Sequence, residues 1–232
     1  FMNPLHIVVL DRDTLVNRPF DFDFPHTLSS YGTTEAHETL ERIRGADIVI
    51  TNKVVISAQA FAENPQLKLV AVTATGVNNV DVEAAKQNGT AVCNIRAYGN
   101  ESVAEHAFMM MITLMRNLPA YQRDVAAGLW ENSPFFCHLG APMRDLNGKT
   151  LAIFGRGNIG KTLATYAQAF KMNVVFAEHK NAQSVRDGYV SFDEAIRSAD
   201  VVSLNCPLTP QTANMIGEAE LQQMKPGAIL IN

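Results

Sequence analysis

Gly155-Arg156-Gly157-Asn158-Ile159-Gly160 lies between the apolar run LAIF (151–154) and a helical pattern, and this context makes it the most informative motif for the fold. Its spacing is G-x-G-x-x-G, in which the first glycine permits a tight turn from strand to helix. The second lets the backbone approach a pyrophosphate, and the third lets the helix pack closely on the strand. Free N–H groups and the dipole at the helix start favour phosphate charge. The alternative, an ordinary tight turn, does not explain all three glycines, so the stretch predicts a dinucleotide-binding βαβ unit.

Apolar and helical patterns alternate on both sides of this stretch. Runs rich in β-branched residues without polar alternation predict strands that are buried on both faces. The predicted strands are Leu5–Leu10, Ala46–Ile50, Leu67–Val72, Thr150–Phe154, Asn173–Ala177, Asp200–Leu204 and Ala228–Ile231. The predicted helices are Thr34–Arg44, Ser57–Glu63, Val82–Asn88, Glu101–Pro119, Ile159–Phe170, Phe192–Ser198 and Glu218–Met224. This rhythm predicts an α/β protein with parallel sheets and right-handed crossovers. The change of pattern near Gly99 predicts two domains, 1–99 and 100–232.

The helix predicted between the two series is dense in Met and Leu, and the irregular segment 120–148 carries Trp130, Phe135 and Phe136. One interpretation of the methionines is a buried helix core. The other is a subunit interface, because large apolar residues on an extended arm need a partner surface. The two interpretations are compatible.

Composition limits the function classes. The 232 residues include 19 Lys plus Arg and 23 Asp plus Glu, a formal charge of −4, with 47% hydrophobic and 18% charged residues. This balance predicts a soluble globular protein without a nucleic-acid partner, which would require a basic face. No apolar run approaches the roughly 20 residues of a membrane-spanning helix. Three widely spaced cysteines predict free thiols in a reducing cytoplasm, with no metal site.

Glu178 stands at the end of the next predicted strand, about 20 residues beyond the glycines, where a carboxylate can accept both hydroxyls of an adenosine ribose. A carboxylate repels a 2′-phosphate, so Glu178 favours NAD over NADP. His179 and Lys180 could instead face a 2′-phosphate, but a solvated turn is the favoured interpretation of both residues.

Two further loops follow predicted strands. Asn205-Cys206-Pro207-Leu208-Thr209 lies at a strand end where ligands of open α/β sheets bind, and Thr212 could add a hydroxyl donor. Cys206 is interpreted as a small residue against the cofactor, because no activating histidine adjoins it in sequence. In the loop 73–81, the N–H groups of Gly76 and Val77 could hold a carboxylate, and a helix-capping loop is an equal alternative.

At these residues the sequence resembles the D-isomer-specific 2-hydroxyacid dehydrogenase family. The resemblance runs from about Leu67 to Asn232 through TATGVNNVD, NIRAYGNESVAEHAFMMMITLMRN, GRGNIG, NCPLTPQT and MKPGAILIN. NIRAY and SVAEH are most similar to the glycerate dehydrogenase (hydroxypyruvate reductase) branch. The resemblance implies two Rossmann-like parallel-sheet domains with a cleft between them: a flavodoxin-like substrate domain and an NAD-binding Rossmann domain that is incomplete in this sequence. It also implies a homodimer built on the long helix and arm.

The resemblance implies roles for particular residues. Gly76 and Val77 would hold the substrate carboxylate, and Asn52 and Lys53 would border the substrate pocket. The implied cofactor-binding residues are Thr75, Ser102, Gly155, Arg156, Gly157, Asn158, Ile159, Gly160, Glu178, Cys206, Pro207 and Thr212.

The activity that the resemblance implies is hydride transfer between NAD and a small D-2-hydroxy or 2-oxo acid. Glycerate and hydroxypyruvate are the favoured substrate pair, and glyoxylate is an alternative substrate. The family's catalytic Arg, Glu and His are expected beyond Asn232. The 232 residues alone are therefore expected to bind the adenosine half of NAD without turnover. The alternative is a dinucleotide-sensing, corepressor-like interaction protein of the same fold, which does not require these three residues.

Overall fold

Parallel strands build both sheets of the computed structural model, which describes residues 3–15 and 19–232. The chain divides into two units, Phe1–Tyr98 and Gly99–Asn232. Among the described residues, none of the helices has the length and apolar character needed to cross a membrane. The α/β class with parallel sheets that the sequence predicts is confirmed.

The first unit has a five-stranded sheet in the order β2-β1-β3-β4-β5, which is the flavodoxin-like order. Its strands are β1 Leu5–Val9, β2 His26–Ser30, β3 Ile48–Thr51, β4 Leu69–Val72 and β5 Ala91–Asn94, and its helices are α1 Thr39–Arg42, α2 Ala58–Glu63 and α3 Val82–Asn88. Helix α3 is capped at both ends: the Asp81 carboxylate accepts the Ala84 N–H at 2.9 Å, and Gly89 ends the helix with φ +76°.

Two strands and most of one helix differ from the prediction. Strands β2 and β5 were not predicted, because both are edge strands whose polar or half-exposed residues lack a continuous apolar run. The helix predicted over 34–44 is reduced to α1. Its first residues are held outside the helix, since the Thr34 hydroxyl donates to Leu10 O and Arg42 donates to Thr33 O, each at 2.5 Å.

The second unit has a four-stranded sheet in the order β7-β6-β8-β9. Its strands are β6 Thr150–Phe154, β7 Asn173–Ala177, β8 Val201–Leu204 and β9 Ile229–Ile231, and its helices are α4 Asn100–Met115, α5 Leu118–Ala126, α6 Asn158–Ala169, α7 Phe192–Ser198 and α8 Glu218–Gln223. Helices α4 and α6 cover one face, where Met111 and Met115 are fully buried. Helix α7 covers the other face, with Phe192 against Phe154.

The single helix predicted over 101–119 is wrong. Asn117 takes a left-handed conformation with φ +50° and separates α4 from α5, in which Pro119 stands in the first turn. Proline has no N–H and is tolerated only in the first turn of a helix, so it favours a new helix start here. Residues 118–126, predicted to be mostly irregular, are consequently helical.

Candidate functional site

The glycine-rich turn is shaped by two close backbone approaches. Gly155 has φ +106°, and a Cβ placed on it would lie 2.7 Å from the carbonyl carbon of Asn205. A Cβ on Gly160 would lie 2.1 Å from the Gly155 carbonyl oxygen. Only glycine fits either position, so the turn after β6 is pressed against both the loop after β8 and the first turn of α6.

Gly157 differs from its two neighbours in the motif. A Cβ at this position would meet no atom within 4 Å, so the space in front of it is open. It is the N-cap residue of α6 and no side chain caps this helix, while Asn158 is exposed in its first turn. An open space facing uncapped N–H groups at a helix start fits a phosphate group.

A groove of about 280 Å³ lies at this turn, where the strand order reverses at β6. Ligands of open α/β sheets bind at such switch points, beyond the carboxyl ends of the strands. The structure brings seven of the residues singled out from sequence to the groove wall: Gly155, Arg156, Gly157, Glu178, Cys206, Pro207 and Thr212.

Other predicted cofactor residues lie elsewhere. Ile159 packs against the core beneath the first turn of α6, and Gly160 is buried. Ser102, on α4, lines a separate cavity of about 340 Å³, which Asn205 also borders. Thr75 belongs to the first unit and is exposed on the loop after β4.

Glu178 is 3% exposed, and Arg186 pairs with its carboxylate. Arg186 donates from Nε to Oε2 at 2.6 Å and from Nη2 to Oε1 at 2.7 Å. The hydrogen bonds from Arg186, followed by that from the His179 N–H, lower the pKa of Glu178 to about 2 against the opposing effect of burial. Glu178 is therefore ionised at neutral pH, and Arg186 is a groove residue that sequence reasoning missed.

Aromatic and cationic side chains surround this pair. The guanidinium of Arg186 lies 4.2 Å from the ring centroid of Tyr189, and that of Arg156 lies 5.3 Å from the same ring. Lys180 forms an ion pair with Glu220 at 2.7 Å and donates to Met215 O, so it is not the solvated residue that a simple turn would present.

Cys206 lies at the groove with its Sγ 4.0 Å from Met215 Sδ. Burial raises the pKa of the Cys206 thiol. Since the thiolate is the reactive form of cysteine, this environment opposes a nucleophilic role and favours the interpretation as a small groove-lining residue.

Asp11 organises the corresponding strand ends of the first unit. Its side chain, two residues after the end of β1, is buried and accepts the N–H of Asn52 at 2.8 Å and that of Lys53 at 2.6 Å. It therefore holds the backbone of the loop that contains Asn52 and Lys53, two of the four predicted substrate residues. Sequence reasoning missed Asp11, although an acidic residue directly after a buried strand was an available signal.

The loop after β4 is tied to the same edge. Asn79 Nδ2 donates to Val54 O at 3.0 Å, and Asn94 Nδ2 donates to Thr75 O at 2.7 Å. Gly76 is exposed, and Val77 is half-buried. Neither of their N–H groups donates to a described residue. Both groups are consequently available to an anion.

Comparison with known proteins identifies the family. Residues 108–232 match "D-isomer specific 2-hydroxyacid dehydrogenase, NAD binding domain". The chain is 40% identical to a glycerate dehydrogenase of Methylorubrum extorquens over 97% of its own length and 71% of that protein. The chain belongs to the D-isomer-specific 2-hydroxyacid dehydrogenase family. The groove in its second unit thus lies in the NAD-binding domain of this family, whose cofactor class is a nicotinamide dinucleotide.

Further members of the family give consistent results. A hydroxypyruvate reductase of Blautia hydrogenotrophica is 36% identical over 86% of this chain and 63% of its own. A glyoxylate reductase structure from Paecilomyes thermophila superposes with a TM-score of 0.75 at 26% identity, covering 99% of this chain and 73% of its own. The resemblance predicted from the motifs is confirmed.

Proposed function

We propose that this 2-hydroxyacid dehydrogenase transfers a hydride between NAD and a small D-2-hydroxy acid or its 2-oxo acid, with glycerate and hydroxypyruvate as the first pair and glyoxylate as the next. The observation that carries the proposal is the groove at the β6–β8 switch point. There, open space at Gly157 meets uncapped N–H groups. The names of the relatives from Methylorubrum and Blautia support the substrate choice.

Each predicted residue has a physical task in this proposal. Gly155, Gly157 and Gly160 let the backbone approach the pyrophosphate, with the N–H groups of Asn158 and Ile159 and the exposed Arg156 completing its surroundings. Cys206, Pro207 and Thr212 line the groove beyond it, and Thr75 and Ser102 serve the nicotinamide half. When bound, the dinucleotide supplies or accepts the hydride at its nicotinamide ring.

The substrate side rests on the first unit. Gly76 and Val77 offer two N–H groups that no described residue accepts, which suits the carboxylate of a 2-oxo acid. Lys53 is exposed on the adjoining loop with Asn52, where its charge attracts an anionic substrate.

NAD is proposed as the preferred dinucleotide. Glu178 is ionised at neutral pH, and a carboxylate at this position disfavours a 2′-phosphate. We also place the protein in the cytoplasm, since its three cysteines are free thiols, and propose a homodimer through the apolar surface of α4 and the arm that follows α5.

The activity test is NADH oxidation, followed at the nicotinamide absorbance, by the protein expressed from its full coding sequence. Hydroxypyruvate is expected to give the highest kcat/KM, with glyoxylate next and pyruvate as the matched control that lacks the hydroxyl group at C3. Tight NADH binding with no turnover of any of these acids would overturn the enzyme proposal and support the dinucleotide-sensing alternative.

Asp11→Asn is expected to raise the KM for hydroxypyruvate about tenfold and to leave NADH binding unchanged. The substitution removes the charge that holds the Asn52 and Lys53 N–H groups, and hydrogen bonds to charged groups contribute about 1.5–3 kcal/mol. Steady-state kinetics and NADH fluorescence measure the two quantities.

Asp47→Asn is the matched control, because Asp47 also accepts a backbone N–H, that of His6 at 2.9 Å, but stands before β3 at the opposite end of the sheet. It should leave the KM unchanged. An equal KM for the Asp11 variant and wild type would contradict a role for Asp11 in positioning the loop.

A further inference from the structure

The adenosine end of the groove holds a buried acid whose hydrogen-bonding capacity is already used. Glu178 Oε1 accepts the His179 N–H at 2.8 Å and Arg186 Nη2 at 2.7 Å. Its Oε2 accepts Arg186 Nε at 2.6 Å and the Arg186 N–H at 3.2 Å. A carboxylate has about four acceptor positions. No position remains for ribose hydroxyls while the Arg186 guanidinium stays in place.

The surrounding charge is positive rather than negative. Arg186 compensates the charge of Glu178, and Lys180 is paired with Glu220. Arg156 also lines the groove, where its guanidinium lies over the rings of Phe176 and Tyr189. It forms no ion pair with a described residue. An arginine in such a position is the side chain that accommodates a 2′-phosphate.

We propose that Arg186 determines the nucleotide preference of the groove, because it masks the carboxylate that would otherwise repel a 2′-phosphate. This proposal rests on the proposed function. Arg186 is a positioning residue that acts through Glu178. With the guanidinium in place, the preference for NAD is small. The dissociation constants of NADPH and NADH are expected to differ by no more than about tenfold.

The test measures dissociation constants of NADH and NADPH by nicotinamide fluorescence in the purified protein. Arg186→Met unmasks Glu178, and the ratio of the NADPH to the NADH constant is expected to rise at least about tenfold. Glu178→Gln removes the acid and frees Arg186, so the same ratio is expected to fall at least about tenfold. Since the pKa of Glu178 is about 2, this side chain is charged in an assay at neutral pH. Glu178→Gln therefore compares a charged side chain with an uncharged one.

Two controls separate charge from structure. Arg186→Lys retains the cation, and its ratio should stay within about threefold of wild type although the fork-shaped contact is lost. Arg197→Met removes an exposed arginine at the end of α7, where Nη1 contacts Gln223 and not the groove, and should leave the ratio unchanged. Thermal unfolding identifies any variant that loses its fold. Arg186→Met and Glu178→Gln are expected to shift the NADPH-to-NADH ratio in opposite directions, so either variant alone can test the proposal.

The possible outcomes are distinct. Ratios that shift in opposite directions support the proposal, and unchanged ratios in folded variants that bind both nucleotides overturn it while leaving the proposed function intact. Wild-type protein that binds neither nucleotide overturns the proposed function and this inference with it.

Discussion

Gly157→Val is expected to weaken NADH binding by about 100-fold or more while the protein remains folded. A Cβ at this position would meet no protein atom within 4 Å, so the position is open to a side chain. It would instead occupy the space in front of the α6 N-terminus, where the pyrophosphate must approach the backbone. Nicotinamide fluorescence measures the binding, and thermal unfolding measures the fold.

Gly160→Ala provides the contrasting variant. Its methyl group would lie 2.1 Å from the Gly155 carbonyl oxygen, which belongs to backbone that cannot rotate away. Overpacking of this kind costs about 1–3 kcal/mol or more, which corresponds to a fall in melting temperature of roughly 2–12 °C. If Gly157→Val bound NADH as tightly as wild type, the groove would not be the dinucleotide site.

Phe136→Asp is expected to convert the proposed homodimer into monomers. Phe136 is 98% exposed and stands on the arm near Leu139, which is 86% exposed, while Met109 on α4 is 51% exposed. Large apolar side chains exposed on an arm and a helix suit an interaction surface. Burying an unpaired charge costs about 3–5 kcal/mol and occurs in both copies of a two-fold interface, so the dissociation constant should rise more than 100-fold. Light scattering after size-exclusion chromatography measures the mass.

The exposure of Phe136 in the single chain makes this test specific. Its side chain contributes little to the fold of its own chain, so a change in mass reports the contact between copies. Met109→Glu should act in the same way from the helix. Val55→Asp is the control, because Val55 is 61% exposed in the first unit and lies outside α4 and the arm. A dimer that persists in both the Phe136 and Met109 variants would contradict the proposed interface.

Strands and helices with an uninterrupted apolar pattern were predictable. Strand β7 and helix α7 have the predicted bounds, since their apolar residues are buried or half-buried by contacts that any packing of the same pattern would make. The edge strand β2 was not predictable in this way. Its residues His26–Ser30 contain one apolar side chain, and their backbone is held by pairing with β1. The break at Asn117 was signalled by Pro119 and was missed.

The candidate site was predictable where it depends on backbone geometry. The three glycines of the motif predicted a tight turn, and the close contacts at Gly155 and Gly160 explain why glycine stands there. Arg186 and Asp11 were not predicted. Arg186 is eight residues from Glu178 and Asp11 is 41 residues from Asn52, and no spacing rule connects either residue to its partner.

The parallel α/β architecture, the position of the glycine-rich turn and the family were all predictable from residue identity. These follow from local apolar periodicity and from glycine positions, which residue identity alone specifies. The hydrogen bonding of the acid after β7, in contrast, depends on the folded chain. Glu178 reads in sequence as a free ribose acceptor, whereas in the folded chain it is buried and paired with Arg186. Burial of a charge is favourable only with a compensating partner, and that partner is brought to it by the folding of the chain.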